Sequence, residues 1–109
     1  MLDVEDYSGQ RVVLEKGVWA DHIQHEHPET TGLLQEAGET LREPSFVYKS
    51  KEFQTTHLYY RLGAAERFRY LYLVVVVRCD LQPAEVLTMY ITREPSGSSG
   101  GLVYATARR

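Results

Sequence analysis

The chain has 109 residues, of which 43 % are hydrophobic and 25 % charged, an ordinary balance for one globular domain over residues 1–109. Its single cysteine, Cys79, excludes an internal disulfide and fits a reducing compartment. The longest apolar stretch, residues 70–77, is far shorter than the ~20 residues that span a bilayer. The acidic, polar start of the chain does not resemble a signal peptide. These features predict a cytoplasmic protein that has no contact with a membrane.

The formal net charge of −3 is unevenly distributed along the chain. Residues 1–54 carry eleven acidic and five basic residues, whereas residues 55–109 carry four acidic residues and seven arginines. The guanidinium group binds phosphate through two parallel hydrogen bonds, so the second half is the part suited to an anionic partner. The simpler interpretation is that these arginines are solvated at strand ends.

The first half of the chain predicts one short strand and two helices. The apolar run at residues 10–14 predicts a strand or an extended lead-in, and residues 18–26 predict a short helix. Pro28 ends that helix, because the residue before a proline is disfavoured in the α region. A second helix is predicted over residues 29–43, with Pro44 as its stop signal.

The second half has the alternation and the composition of strands, rich in Tyr, Val, Thr and Leu. The predicted strands are residues 45–49, 57–62, 67–78, 85–92 and 102–106. The short links between these segments favour antiparallel neighbours, and residues 95–101 are predicted as a flexible hairpin tip. Residues 74–77 predict a central strand because they are apolar on both faces. The predicted fold is α+β, with two short N-terminal helices packed on one face of a four- to five-stranded antiparallel sheet.

Strand alternation predicts which side chains share a face of this sheet. We expect Leu58, Tyr60 and Leu62 to lie under the helices, together with the Leu, Met and Ile side chains of residues 85–92. The opposite face then exposes His57, Tyr59, Arg61, Thr88, Tyr90 and Thr92. This polar and aromatic surface is either a site for chemistry or simply the solvent-facing side of the sheet.

A second group of polar residues lies where the two predicted helices meet. It contains His22, His25, His27 and Glu29. Histidine exchanges protons near neutral pH, so these residues are candidates for acid–base chemistry. They could equally be histidines at the edge of the core that bind backbone carbonyls. Their spacing does not match a helical metal-binding motif and no cysteine supports a structural zinc, so we expect neither a metal nor another cofactor.

Four segments resemble, in order, motifs of the phage and prophage relatives of the BECR nucleases, the superfamily of barnase, EndoU, colicin-type and RelE-type nucleases. The segments are His22-Ile23 with His27-Pro28-Glu29, Leu58-Tyr59-Tyr60-Arg61, residues 72–77 (YLVVVV) and residues 86–90 (VLTMY). The resemblance covers about residues 10–93. It implies two N-terminal helices on an antiparallel sheet.

The resemblance also implies a metal-independent endoribonuclease of the toxin type, in which the ribose 2′-hydroxyl attacks the adjacent phosphate. The implied catalytic residues include a histidine, His22 by preference or His27, as general base or acid. Arg61 would stabilise the charge that develops on the phosphoryl oxygens, and Thr88 and Tyr90 would hold the phosphate. The implied substrate-binding residues are Tyr59, His57 and Thr92, with Tyr59 stacked on a base. The implied partners are RNA, such as tRNA or mRNA, and a cognate antitoxin or immunity protein.

The alternative function is that of a non-catalytic protein-interaction or regulatory domain of phage origin. The acidic net charge favours this alternative, because domains that bind RNA usually gain affinity from positive charge. The two functions require different structures. A nuclease needs His22 or His27 close to Arg61 and to the face that carries Thr88 and Tyr90. An interaction domain needs an exposed apolar patch or an unpaired strand edge.

Overall fold

A computed structural model describes residues 1–94 and 99–106 of the chain. They form one seven-stranded sheet with a few short helical segments. The strands are β1 (Leu2–Glu5), β2 (Arg11–Leu14), β3 (Phe46–Ser50), β4 (Thr56–Leu62), β5 (Tyr72–Arg78), β6 (Ala84–Thr92) and β7 (Ser99–Ala105). Their order across the sheet is β1-β2-β6-β5-β4-β3-β7. The β2–β6 pair is parallel and every other neighbouring pair is antiparallel.

The prediction of a four- to five-stranded antiparallel sheet preceded by two helices is therefore wrong. The chain begins with a β-hairpin, in which the predicted strand at residues 10–14 is confirmed as β2 and the unpredicted β1 is its partner. The alternation of Leu2, Asp3, Val4 and Glu5 has the period of a strand. The two acidic residues of β1 point away from its buried side, so the composition of this segment alone does not predict a strand.

The helical part of the chain is shorter than predicted. A π-helical turn (Val18–Ile23) continues into one α-helical turn, α1 (Gln24–Glu26), which confirms the first predicted helix. The second predicted helix divides into a 3₁₀ turn (Pro28–Thr30) and α2 (Leu34–Arg42). Gly32 separates them, because its φ of +80° is left-handed and interrupts helical hydrogen bonding. Among these helical segments none is long and apolar enough to cross a membrane.

The main core lies between the helical segments and one face of the sheet, which we call the helix-side face. Ile23, Leu33, Ala37 and Leu41 pack there against side chains of the central strands. The predicted central strand is confirmed as β5, which contributes Leu73, Val75 and Val77 to this core. The predicted start of this strand at residue 67 is too early, since residues 66–68 form a 3₁₀ turn and strand pairing begins at Tyr72.

A second apolar cluster lies on the other face of the sheet, which we call the second face. Its described members all belong to strands: Leu58, Tyr60 and Val74, packed with Phe46, Tyr48, Tyr72, Val76 and Tyr90. The predicted faces of β4 are therefore inverted. Tyr59 is 1 % exposed in the helix-side core, whereas Leu58 and Tyr60 lie on the second face. Alternation favoured the wrong arrangement because Tyr59 shares its face with the polar His57 and Arg61, whereas Leu58, Tyr60 and Leu62 form the more apolar face.

The predicted faces of β6 are only partly wrong. Met89 and Ile91 lie on the helix side, and Thr88 and Tyr90 on the second face, as alternation predicts. A bulge opposite residues 76 and 77 leaves Leu87 as an extra residue, 39 % exposed, and turns Val86 into the core.

The predicted hairpin tip at residues 95–101 does not join neighbouring strands. Residues 95–98 lie outside the described residues, and residues 99–101 belong to β7. Three strands separate β6 from β7, which pairs with β3 at the edge of the sheet. This arrangement places the last described residues of the chain beside the start of β3.

Candidate functional site

A groove of about 520 Å³ opens where β3 and β5 begin and where β4 and β7 end. We call it the Arg61 groove. The residues that carry its chemistry are Glu43, Phe46, Arg61, Leu62, Tyr72 and Thr106. Its volume is within the range of pockets that bind small molecules or side chains, about 300–1,000 Å³.

Arg61 is the cation of this groove. Its side chain is 31 % exposed, and Nη1 donates a 2.6 Å hydrogen bond to the backbone carbonyl of Glu43. The Glu43 carboxylate is 3.7 Å from the same nitrogen, but that side chain is 77 % exposed. Among the described residues, only Glu43 bonds the guanidinium. No described residue bonds Nε or Nη2, the two nitrogens with which a guanidinium can bind a carboxylate side-on.

Aromatic and aliphatic side chains form the walls of the groove. The rings of Phe46 and Tyr72 are 5.4 Å apart, and Leu62, which pairs with Tyr72 across β4 and β5, is 49 % exposed. Tyr70, at the same β4–β5 connection, is 76 % exposed. Arg69 lies over its ring at 5.1 Å and donates to its hydroxyl. The groove itself therefore combines Arg61 with apolar and aromatic walls, while Arg69 and Tyr70 belong to the loop between β4 and β5 and are not among its lining residues.

Hydrogen bonds hold the frame of the groove in place. Ser45 donates its backbone N–H to the Tyr60 carbonyl at 2.7 Å, and its hydroxyl accepts the N–H of Leu62 at 3.1 Å. Thr106 donates its N–H to the Ser45 carbonyl at 3.0 Å and its hydroxyl to the Pro44 carbonyl at 2.5 Å. The ends of β4 and β7 are thus fixed against the same residue, which pre-organises the groove.

The predicted catalytic residues are divided between the two faces of the sheet. Arg61 pairs with Leu73 on the helix-side face. Thr88 and Tyr90 pair with Val76 and Val74, which belong to the second face. The structure does not bring Arg61 together with Thr88 and Tyr90.

The histidines are also separated. His27 packs against Tyr90 with a ring separation of 5.7 Å, and its Nδ1 is 3.5 Å from the Glu29 carboxylate. His22, the preferred candidate for general base or acid, is exposed on the π-helical turn, as is His25 on α1. Of the predicted catalytic set, only His27 and Tyr90 are in contact. Within the described residues no group of three or more His, Cys, Asp or Glu side chains could hold a metal ion.

Tyr59, predicted to stack on a base, is part of a buried polar network instead. Its hydroxyl donates a 2.5 Å hydrogen bond to Asp6, and burial followed by this bond raises the pKa of Tyr59. Asp6 also accepts bonds from Ser8 and from the backbone N–H of Gln10. Burial raises the pKa of the neighbouring Cys79 thiol to about 11, so this cysteine is protonated at neutral pH and is a poor nucleophile.

The other two predicted substrate-binding residues are also separated. His57 is half-buried on the helix-side face, where burial and then the nearby Lys49 lower its pKa. Thr92 lies at the end of β6 and its hydroxyl donates to the Glu94 carbonyl at 3.2 Å. The sequence interpretation missed Phe46, Leu62 and Tyr72 as site residues. Alternation places all three on one face, but only the strand order shows that they meet beside Arg61.

Comparison of the chain with protein-family models, with curated proteins and with solved structures finds no match. The resemblance to the BECR nucleases therefore stays a prediction, based on the motifs alone.

Proposed function

We propose that this chain is a non-catalytic protein-interaction domain that binds a peptide segment in the Arg61 groove. The segment carries an apolar side chain next to a carboxylate. The observation that supports the proposal is the half-buried Arg61, which is bonded at Nη1 to Glu43 and lines one groove, at the ends of the strands, together with Phe46 and Tyr72 of the second face. A carboxylate binds a guanidinium in a bidentate geometry, and the adjacent apolar side chain packs on Phe46 and Tyr72.

The composition of the groove favours a protein partner. Tyr, Phe and Arg are enriched in the parts of protein interfaces that contribute most of the binding energy. Leu62 is an exposed apolar residue in the lining of the groove. A partner that buries Leu62 removes from water apolar area that the isolated chain leaves exposed.

Selection from a displayed library of random short peptides tests the proposal. We expect the selected peptides to carry Asp or Glu beside an apolar residue. Arg61→Gln should weaken their binding by about 10- to 100-fold, because a hydrogen bond to a charged group contributes about 1.5–3 kcal/mol. Glu43→Gln should strengthen binding a few-fold, because it removes a carboxylate that competes for Arg61.

Arg11→Gln is the matched control, since Arg11 is 61 % exposed on β2 and pairs with Asp3, far from the groove. It should leave peptide binding unchanged. Peptides without an acidic residue, or peptides that bind Arg61→Gln as tightly as the parent, would contradict the proposal.

RNA cleavage is the second candidate function, and the contact between His27 and Tyr90 favours it. An imidazole beside a phenol could exchange a proton with a bound substrate. Incubation of total RNA with the protein in EDTA tests it, with His27→Ala and the exposed-site control His25→Ala. The interaction proposal predicts intact RNA in every sample. Cleavage by the parent and by His25→Ala, but not by His27→Ala, would make the nuclease the better function.

A further inference from the structure

A histidine and a lysine face each other at the end of the sheet opposite to the Arg61 groove. His57, near the start of β4, is paired with Lys49, near the end of β3, so both side chains leave the same face of the sheet. Directly opposite side chains on antiparallel strands have Cβ atoms roughly 4.5–5.5 Å apart, and like charges at such positions are destabilising. A proton on His57 therefore creates a repulsive pair across the β3–β4 ladder.

The surroundings of His57 add to the cost of this proton. The imidazole is half-buried, and on its other side His57 pairs with Val77, which is 0 % exposed. A charged ring at this position loses part of its hydration, whereas the exposed Lys49 keeps its ammonium group in water. Burial and then Lys49 lower the pKa of His57, so the folded chain favours the neutral imidazole.

The acidic group that faces His57 compensates only part of this cost. Asp6, on the β1–β2 turn, attracts a charged imidazole, but its effect on the pKa of His57 is smaller than that of Lys49. Its carboxylate already accepts hydrogen bonds from the Tyr59 hydroxyl, from Ser8 and from the backbone N–H of Gln10. The negative charge of Asp6 is thus shared among other donors.

The other titratable groups at this end of the sheet do not supply a negative charge to His57. The Tyr7 phenol and the Cys79 thiol are neutral at physiological pH, because burial raises the pKa of both groups. Arg78, on the neighbouring strand β5, is bonded to Asp80 and leaves the sheet on the opposite face.

We infer that the Lys49–His57 pair is an acid-sensitive switch, in which protonation of His57 opens the end of the β3–β4 hairpin. The unfolded chain binds this proton at the ordinary histidine pKa of 6.5, and the folded chain binds it only at lower pH. The stabilisation by neutral His57 is therefore fully present above about pH 6.5 and is lost as the pH falls below it. The inference does not depend on peptide binding, because the Arg61 groove lies at the other end of these strands.

Amide hydrogen exchange at pH 7.5 and at pH 5.5 tests the inference, with each rate expressed as a protection factor to remove the pH dependence of intrinsic exchange. We expect the protection of residues 48–50 and 56–58 to fall about 2- to 5-fold at pH 5.5, the size of a cross-strand charge effect. The protection of α2 should change less, because the opening is local. No fall in the hairpin, or an equal fall in α2, would overturn the inference.

Three variants identify the groups responsible. His57→Gln should abolish the fall, and Lys49→Gln should reduce it, because each removes one of the two charges. His25→Gln is the matched control, since His25 is exposed on α1, and it should behave as the parent. A full fall in His57→Gln would overturn the role of His57. If circular dichroism shows that His57→Gln does not fold, Lys49→Gln decides, and a full fall in that variant would overturn the proposed pair.

Discussion

At the scale of single residues, Asp6 is a buried polar group that joins the β1–β2 turn to the helix-side core. It is 6 % exposed, and its two oxygens accept bonds from the Tyr59 hydroxyl, the Ser8 hydroxyl and the backbone N–H groups of Ser8 and Gln10. These bonds close the β1–β2 turn and anchor it to the centre of β4. The network explains why Tyr59 rather than Tyr60 faces the core.

Replacement of Asp6 by Ala should therefore lower the free energy of unfolding by about 3 kcal/mol, since it leaves the buried Tyr59 hydroxyl without its acceptor. Asp3→Ala is the control, because its ion pair with Arg11 is more than half exposed and such pairs contribute little to stability. Urea denaturation measures both variants. If both variants lose the same free energy of unfolding, the buried network contributes no more to stability than the exposed ion pair.

At the scale of elements, glycine has opposite effects in α2 and in the β4–β5 loop. Gly38 lies inside α2, where a Cβ would be 3.5 Å from Leu2 and from Arg42, an ordinary contact distance. Gly63 has a φ of +67°, and a Cβ there would be 3.0 Å from the Arg69 carbonyl. The helix thus tolerates a side chain, whereas the loop requires glycine.

We accordingly expect Gly38→Ala to raise the free energy of unfolding by about 0.5–1 kcal/mol, because alanine loses less backbone entropy in a helix. Gly63→Ala should lower it by about 1–3 kcal/mol through left-handed strain. Thermal denaturation of the two variants and of the parent measures both changes in stability. A loss of stability in Gly38→Ala would mean that α2 cannot accommodate the added methyl group.

At the scale of the whole molecule, the strand order decides where function can lie. The acidic first half supplies β1 and β2 at one edge of the sheet, while the Arg61 groove lies at the ends of β3, β4, β5 and β7, towards the other edge. The proposed binding surface therefore lies away from Asp3 and Glu5 of the hairpin. We expect a partner with a carboxylate to meet Arg61 there.

Local patterns in the sequence were sufficient to predict most of the elements. Period-two alternation in apolar and aromatic residues predicted five of the strands to within a few residues of their bounds, apart from the early start of β5. Proline and glycine at positions 28, 32 and 44 separate the helical segments. The apolar run on both faces of β5 predicted its central place, because only a strand covered on both sides can bury such a run.

Only the tertiary structure decided which face of β4 is buried, which strands are neighbours and which residues meet in a site. The more apolar face of β4, with Leu58, Tyr60 and Leu62, is not the one under the helices. Tyr59 is buried on the helix side, where a long-range hydrogen bond joins it to Asp6. The Arg61 groove joins residues from the ends of four strands that are distant along the chain. Local sequence patterns carry no information on such pairings, because the free energy that selects them arises from contacts formed only in the folded chain.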